Sequence, residues 1–158
     1  MIYTAHFPTP LGTCLIEGTE LGISKIHVLD ETIASGTEIH KSLQEAVMQL
    51  QEYFAGNRNT FTFPLNPQGT DFQKRVWQAL TEIPFGKTIS YHALSVQLGD
   101  AKAIRAVASA NGKNPLWIVV PCHRVIGSNG KLTGYAGGLW RKKWLLEHET
   151  PPVQQSLF

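Results

Sequence analysis

Three short runs, at residues 2–7, 12–17 and 22–29, are rich in Ile, Val, Tyr, Phe and Thr, and the turn residues Thr9-Pro10-Leu11-Gly12 and Glu20-Leu21-Gly22 separate them. Runs of this length between turn signals predict an antiparallel β-meander. Over residues 38–54 the period changes: Ile39, Leu43, Ala46, Val47, Leu50, Tyr53 and Phe54 recur at helical spacing, and Gly56 follows as a stop. Residues 57–70 carry Pro64, Pro67 and Gly69, which predicts a short strand at 60–64 and then a linker. Beyond it the pattern is mostly helical. Phe72, Val76, Trp77 and Leu80 mark a helix capped by Asp71 and ended by Ile83-Pro84-Phe85-Gly86. Ser90 caps a second helix bearing Tyr91, Leu94, Val96 and Leu98, which Gly99 closes. Asp100 opens a third helix over residues 101–110, closed by Asn111-Gly112.

Two short helices joined by a tight Gly-containing turn form a helix-turn-helix, whose second member is the recognition element. Here that member is lined with Ala101, Ala103, Ala106, Ala108, Ser109 and Ala110, with Lys102 and Arg105 as its cations. Small residues let a helix approach a nucleic-acid groove closely, and they equally let it pack against other helices. The pattern divides the chain into an N-terminal α+β domain (1–66), a helical domain (67–150) and a flexible tail (151–158).

Charge adds to this division. Residues 1–70 hold 3 basic and 7 acidic side chains, whereas residues 71–158 hold 11 basic and 5 acidic, so a total of +2 conceals a strongly basic second half. A basic half is the electrostatic footprint expected of a nucleic-acid surface. At 158 residues the chain can bury a core without staples, and its two cysteines, Cys14 and Cys122, do not form a secreted disulfide framework. The first ten residues show neither a basic n-region nor a long apolar stretch, which predicts a cytoplasmic location with no membrane segment. The six histidines lack ligand spacing with either cysteine, so no metal and no cofactor are expected. Gly127-Ser128-Asn129-Gly130-Lys131-Leu132-Thr133 fails the register of a phosphate loop and predicts a turn.

The candidate chemistry lies in Pro121-Cys122-His123-Arg124, after the apolar run 116–120. Proline suits the first position of a helix, which puts Cys122 second, facing unpaired amide donors that lower a thiol's pKa. Adjacent helical residues do not face each other, so a proton path from Cys122 to His123 needs a water or a non-helical turn. The plain alternative is a buried cysteine acting as a small hydrophobe.

Further motifs stand in register around this one: Ile89-Ser90-Tyr91, Arg105-Ala106-Val107, Asn114-Pro115, Val125-Ile126, Gly134-Tyr135-Ala136-Gly137-Gly138 and Trp144-Leu145-Leu146-Glu147-His148-Glu149. Together they resemble the O6-alkylguanine-DNA alkyltransferases, also called methylated-DNA–protein-cysteine methyltransferases, over roughly residues 70–150. The resemblance implies an α+β fold, with a small ribonuclease-H-like N-terminal domain of antiparallel strands plus a helix before a winged helix-turn-helix-like DNA-binding domain. It implies a monomer that binds double-stranded DNA containing O6-alkylguanine, flips the damaged base and moves its alkyl group irreversibly to Cys122. O4-alkylthymine is a further implied substrate. Cys122, His123, Glu149 and Tyr91 match the family's catalytic residues. Arg105, Ala106, Lys102, Tyr91, Ser90 and Arg124 match its DNA contacts, with Arg105 as the finger that replaces the flipped base. Tyr135, Val125, Ala136, Asn114 and Gly137 match the substrate pocket, Asn114 being a hinge residue. Ala136 departs from members with serine there, which removes a hydroxyl.

Two other readings compete. Alkyltransferase-like sensors share the surface but lack the cysteine, and a cysteine hydrolase leaves the helix-turn-helix unexplained. The tail ends Gln154-Gln155-Ser156-Leu157-Phe158, which resembles the short peptides that dock bacterial repair proteins on the sliding clamp.

Overall fold

The computed structural model of the protein describes residues 1–33 and 38–150. The tail at 154–158, with its clamp-like peptide, lies outside them. The chain divides into two compact units, Met1–Gly69 with Pro115–Val119, and Thr70–Asn114 with the residues from Val120 on. The first unit is therefore discontinuous in sequence, borrowing five residues from the middle of the second half.

In the first unit, β1 (Tyr3–Thr9), β2 (Gly12–Thr19) and β3 (Gly22–Leu29) form the antiparallel meander in the order β1-β2-β3. Alternate residues Ala5, Phe7, Cys14, Ile16, Ile26 and Val28 are buried, as period-two patterning on a one-sided sheet requires. Leu43, Ala46, Val47, Leu50 and Tyr53 of α1 (Lys41–Phe54) supply the other wall of this core. The helix begins at Lys41, three residues later than the apolar period alone implies, behind the N-cap His40, whose ring Nδ1 accepts the amide of Ser42.

The strand expected at 60–64 does not form. The chain there makes only one parallel bridge, Ile23 to Leu65, in which the amide of Ile23 donates to Pro64 O at 2.9 Å. Gly22 makes this approach possible: its φ is +145°, and a Cβ would sit 3.0 Å from the Pro64 carbonyl oxygen. A second bridge, Ile26 to Leu116, brings in the borrowed segment, with the amide of Ile26 donating to Pro115 O and that of Trp117 to Ile26 O. These two bridges cover the open edge of β3, which otherwise presents unpaired amides. The run then turns sharply at Ile118, whose φ of +74° is rare for a β-branched residue and ends any strand.

The second unit begins with α2 (Asp71–Leu80). Its N-cap is Thr70, not Asp71, because Thr70 and Gln73 form a reciprocal capping box. The short strand β4 (Ile89–Ser90) leads into α3 (Tyr91–Gln97), capped by Ser90, whose Oγ accepts the amide of Ala93. The third predicted helix is divided: Asp100 caps a single 3-10 turn, Ala101–Ala103, before α4 (Ile104–Gly112). The indole of Trp77 donates to Ala110 O at 2.9 Å and so ties α2 to α4 inside the core. After a 3-10 turn at Cys122–Arg124 comes β5 (Val125–Ile126), then the Gly127–Thr133 turn, and last α5 (Leu139–His148). Among the described residues no helix is long and apolar enough to cross a membrane.

Candidate active site

The site is assembled by a two-residue parallel ladder. Ile89 pairs with Val125 and Ser90 with Ile126, so the first residue of α3, Tyr91, is held beside the turn that carries Cys122. That turn differs from the sequence expectation. Pro121, with φ −82° and ψ 65°, lies outside it, and the turn itself is only three residues long. It has no macrodipole to acidify a thiol, since that field needs aligned peptides over several turns. Burial instead pushes the Cys122 thiol up to about 11, opposed by a hydrogen bond from the Asn114 side chain and by the charge of Lys142.

The two residues after Cys122 belong to a buried relay. His123 Nε2 lies 2.8 Å from Glu149 Oε2, and the same carboxylate receives Arg124 through Nε at 2.8 Å and Nη2 at 3.1 Å. Burial opposes the Glu149 charge, but the hydrogen bonds and charges of His123 and Arg124 outweigh it and hold the carboxyl at about 2. An ionised carboxylate only accepts, so His123 Nε2 carries the ring proton and Nδ1 keeps its lone pair. Nδ1 is buried and has no hydrogen-bond partner among the described residues, and burial lowers the pKa of the ring. The imidazole is thus neutral and its open nitrogen can take a proton.

Arg124, expected at the DNA, is not available to it. It is 6% exposed and committed to Glu149, with Nη1 donating to Ile83 O. A guanidinium held by a bidentate carboxylate and a carbonyl has a structural task.

The Tyr91 hydroxyl accepts from Asn111 Nδ2 at 3.4 Å, and Lys142 Nζ lies 5.9 Å from the ring centroid. Burial raises the Tyr91 pKa, and hydrogen bonds with Thr133 and Asn111 oppose it. Tyr135 is half-buried, and desolvation raises its pKa well above the ordinary value, with the nearby Cys122 adding to the rise. Asn114, 3% exposed, also donates to Val120 O at 2.8 Å, so one amide braces the main chain just before the cysteine and touches its sulfur. Val125 and Gly137 are buried and Ala136 is exposed. Lys102, in the 3-10 turn before α4, and Arg105 and Ala106, in its first turn, are exposed, while Val107 and Ala110 face inward; Ser90, the N-cap of α3, is partly exposed. The alanine-rich stripe therefore divides into an outer face and a packing face.

The family model described as 6-O-methylguanine DNA methyltransferase, ribonuclease-like domain, matches residues 2–67, and the model of the DNA binding domain matches residues 71–151. The chain belongs to the 6-O-methylguanine DNA methyltransferase family. The methylated-DNA–protein-cysteine methyltransferase of Methanosarcina acetivorans is 46% identical over 153 residues, covering 94% of this chain and 98% of that protein. The constitutive one of Bacillus subtilis is 48% identical over 145 residues, 87% of this chain and 88% of the relative. Among solved structures, the O6-methylguanine methyltransferase of Mycobacterium tuberculosis matches with a TM-score of 0.85 at 42% identity, covering 100% of this chain and 99% of that one. A structure of the OGT protein of that organism in complex with DNA matches at 0.83 and 44%, covering 92% of each.

Sequence reasoning missed several residues of this methyltransferase-family site. Lys142 is fully buried and donates to Val125 O and Thr133 O, both at 2.7 Å, and to Gly134 O at 3.2 Å. Arg141 is 5% exposed and donates to Gly137 O at 3.0 Å. In the sequence Arg141-Lys142-Lys143 looks like a solvated basic face. The signal that could have exposed Lys142 is its helical spacing, three and seven residues before the buried Leu145 and Glu149. For Asn111 and Thr133, both near the Tyr91 hydroxyl, no local signal existed. Among the described residues no three His, Cys, Asp or Glu side chains cluster as metal ligands.

Proposed function

We propose that this protein repairs alkylated DNA by direct reversal, transferring a methyl or other alkyl group once from O6 of guanine to Cys122. The observation that supports it most is the buried Cys122 followed directly in the chain by His123, whose neutral imidazole is held by Glu149 and can accept a proton. The family's named activity and a DNA complex of a 44% identical relative support the same reading.

In this mechanism the Cys122 proton passes by way of a water to His123 Nδ1, and Glu149 balances the imidazolium. The thiolate Sγ then attacks the alkyl carbon, the S–C bond forms, and the C–O6 bond breaks with its electron pair left on the purine. One proton returns to the purine, so the net change is thiol plus O6-alkylguanine to thioether plus guanine. Tyr91, whose hydroxyl accepts from Asn111, supports charge on the departing base through its own O–H. A thioether has no facile leaving group, so each molecule acts once. Arg105 enters the stack as the base is flipped; Ala106 and Lys102 lie on the DNA, the alanine permitting close approach. Tyr135, Val125 and Gly137 line the base pocket, with the main chain of Ala136 substituting for the missing hydroxyl. Every proposed catalytic group comes from one chain, so the transfer needs no residue from a second copy. The tail binds the sliding clamp through Leu157 and Phe158, and unchanged clamp affinity after deletion of residues 154–158 would remove that idea.

The test is incubation with a duplex carrying O6-methylguanine, followed by intact mass. A gain of one methyl on wild type and none on Cys122→Ala supports transfer. Binding without a mass change identifies a sensor, and turnover beyond one equivalent excludes both.

A further inference from the structure

The thiolate that must form at Cys122 is a buried anion, and a buried anion needs a counter-charge. Arg124 does not supply it, because its charge is already matched by Glu149. His123 is neutral, as burial lowers its pKa. Lys142 is different. All three of its ammonium hydrogens go to neutral main-chain carbonyls, those of Val125, Thr133 and Gly134, which fix its position without cancelling its charge. Its bond to Val125 O, whose own amide donates to Cys122 O, anchors the ammonium at the end of the cysteine turn, where its charge favours the thiolate.

We propose that Lys142 is the counter-cation of the Cys122 thiolate, a positioning residue that acts through the cysteine. This rests on the transfer reading only for the identity of the electrophile. The cluster of Cys122, His123, Arg124, Glu149 and Lys142 is cationic while the thiol is protonated and becomes neutral when it ionises. The other groups around it do not change that balance in the neutral range: Tyr91 and Tyr135 are both held protonated, and Arg141 is engaged at Gly137 O. Burial brings Lys142 down to about 8, with Cys122 pulling it back up, so above that pH the counter-charge fades unless the thiolate retains it. The same three bonds join the start of β5 to the 133–134 segment. The counter-cation therefore also fastens the segment before the pocket loop to the strand after the cysteine.

The test compares Lys142→Met and Lys142→Arg with wild type, following Cys122 alkylation by iodoacetamide with peptide mass mapping across pH. With Lys142→Met the midpoint moves to higher pH and alkylation at pH 8 slows about tenfold, whereas Lys142→Arg restores most of it. Methyl transfer at saturating duplex falls by a similar factor, with affinity for undamaged duplex unchanged. A wild-type midpoint in a folded Lys142→Met protein overturns the proposal. If that variant does not fold, the wild-type protein decides: the rise of Cys122 alkylation with pH drops below roughly tenfold per unit above about pH 8, where Lys142 loses its charge. A constant rise of about tenfold per unit across that pH overturns the proposal equally. If wild type alkylates as expected but takes no methyl from DNA, the transfer reading fails and the role of Lys142 stands.

Discussion

Cys122 is poised by burial and not by acidity. With its thiol at about 11, roughly one molecule in ten thousand carries the thiolate at pH 7. Iodoacetamide should therefore label Cys122 slowly at neutral pH, faster by about tenfold per pH unit up to about pH 8, where Lys142 begins to lose its charge. A plateau below pH 8 would contradict that. Glu149 is the second pivot. Replacing it with Gln leaves the buried Arg124 guanidinium without its anion, and the expected loss is about 3–5 kcal/mol, read from urea unfolding. Wild type should also weaken in acid: the folded pKa of Glu149, about 2, is depressed from 4.5, so its contribution is present above pH 4.5 and disappears as pH falls towards 2. His123 acts in the same sense from below its unfolded value of 6.5, since the unfolded ring takes up a proton that the buried one resists. Thermal melts between pH 7 and 3 should fall monotonically.

Among the elements, α4 and α2 separate function from stability. Arg105 is exposed at the start of α4, so Arg105→Ala should leave folding intact and leave the iodoacetamide rate of Cys122 unchanged. Methyl transfer from duplex DNA should drop by tenfold or more, on the order of the unstacking energy that the finger offsets. Equal loss in both reactions would place Arg105 in the fold instead. The Thr70–Gln73 box has the opposite profile: Thr70→Ala should cost about 1 kcal/mol of stability by urea titration, with transfer per folded molecule unaffected. The periodicities made most of these elements legible in advance. α1, α2 and α3 arise from apolar residues at 3.6 spacing and the meander from alternation, which are local properties. The strand expected at 60–64 was not legible because pairing depends on what β3 offers across space, and there it offers a single bridge.

At the scale of the whole molecule, the basic second half is less cationic at its surface than its composition implies. Of its 11 basic residues, Arg124, Arg141 and Lys142 are buried in internal hydrogen bonds. DNA affinity should still decline with salt, and Lys102→Gln should reduce the slope of log K against log salt by about 1 without altering preference for the lesion. A slope equal to that of wild type would remove Lys102 from the phosphate contacts.

What the sequence alone determined was the kind of protein: the meander, the helix-turn-helix, and a linked set of motifs around Cys122 specific enough to indicate the family. These are carried by residue identity and short-range spacing. Tertiary structure decided what each group does. Arg124 and Lys142 are both basic residues in basic stretches, yet one neutralises Glu149 and the other keeps its charge beside the thiol. Pro121 precedes a single turn too short to carry a helix field, so the acidity its position implied is absent. The segment 115–119 joins the edge of β3 although it lies between Asn114 and Cys122 in the chain. Burial, long-range partners and the field at an atom depend on what folding brings together, and that information is not local in the sequence.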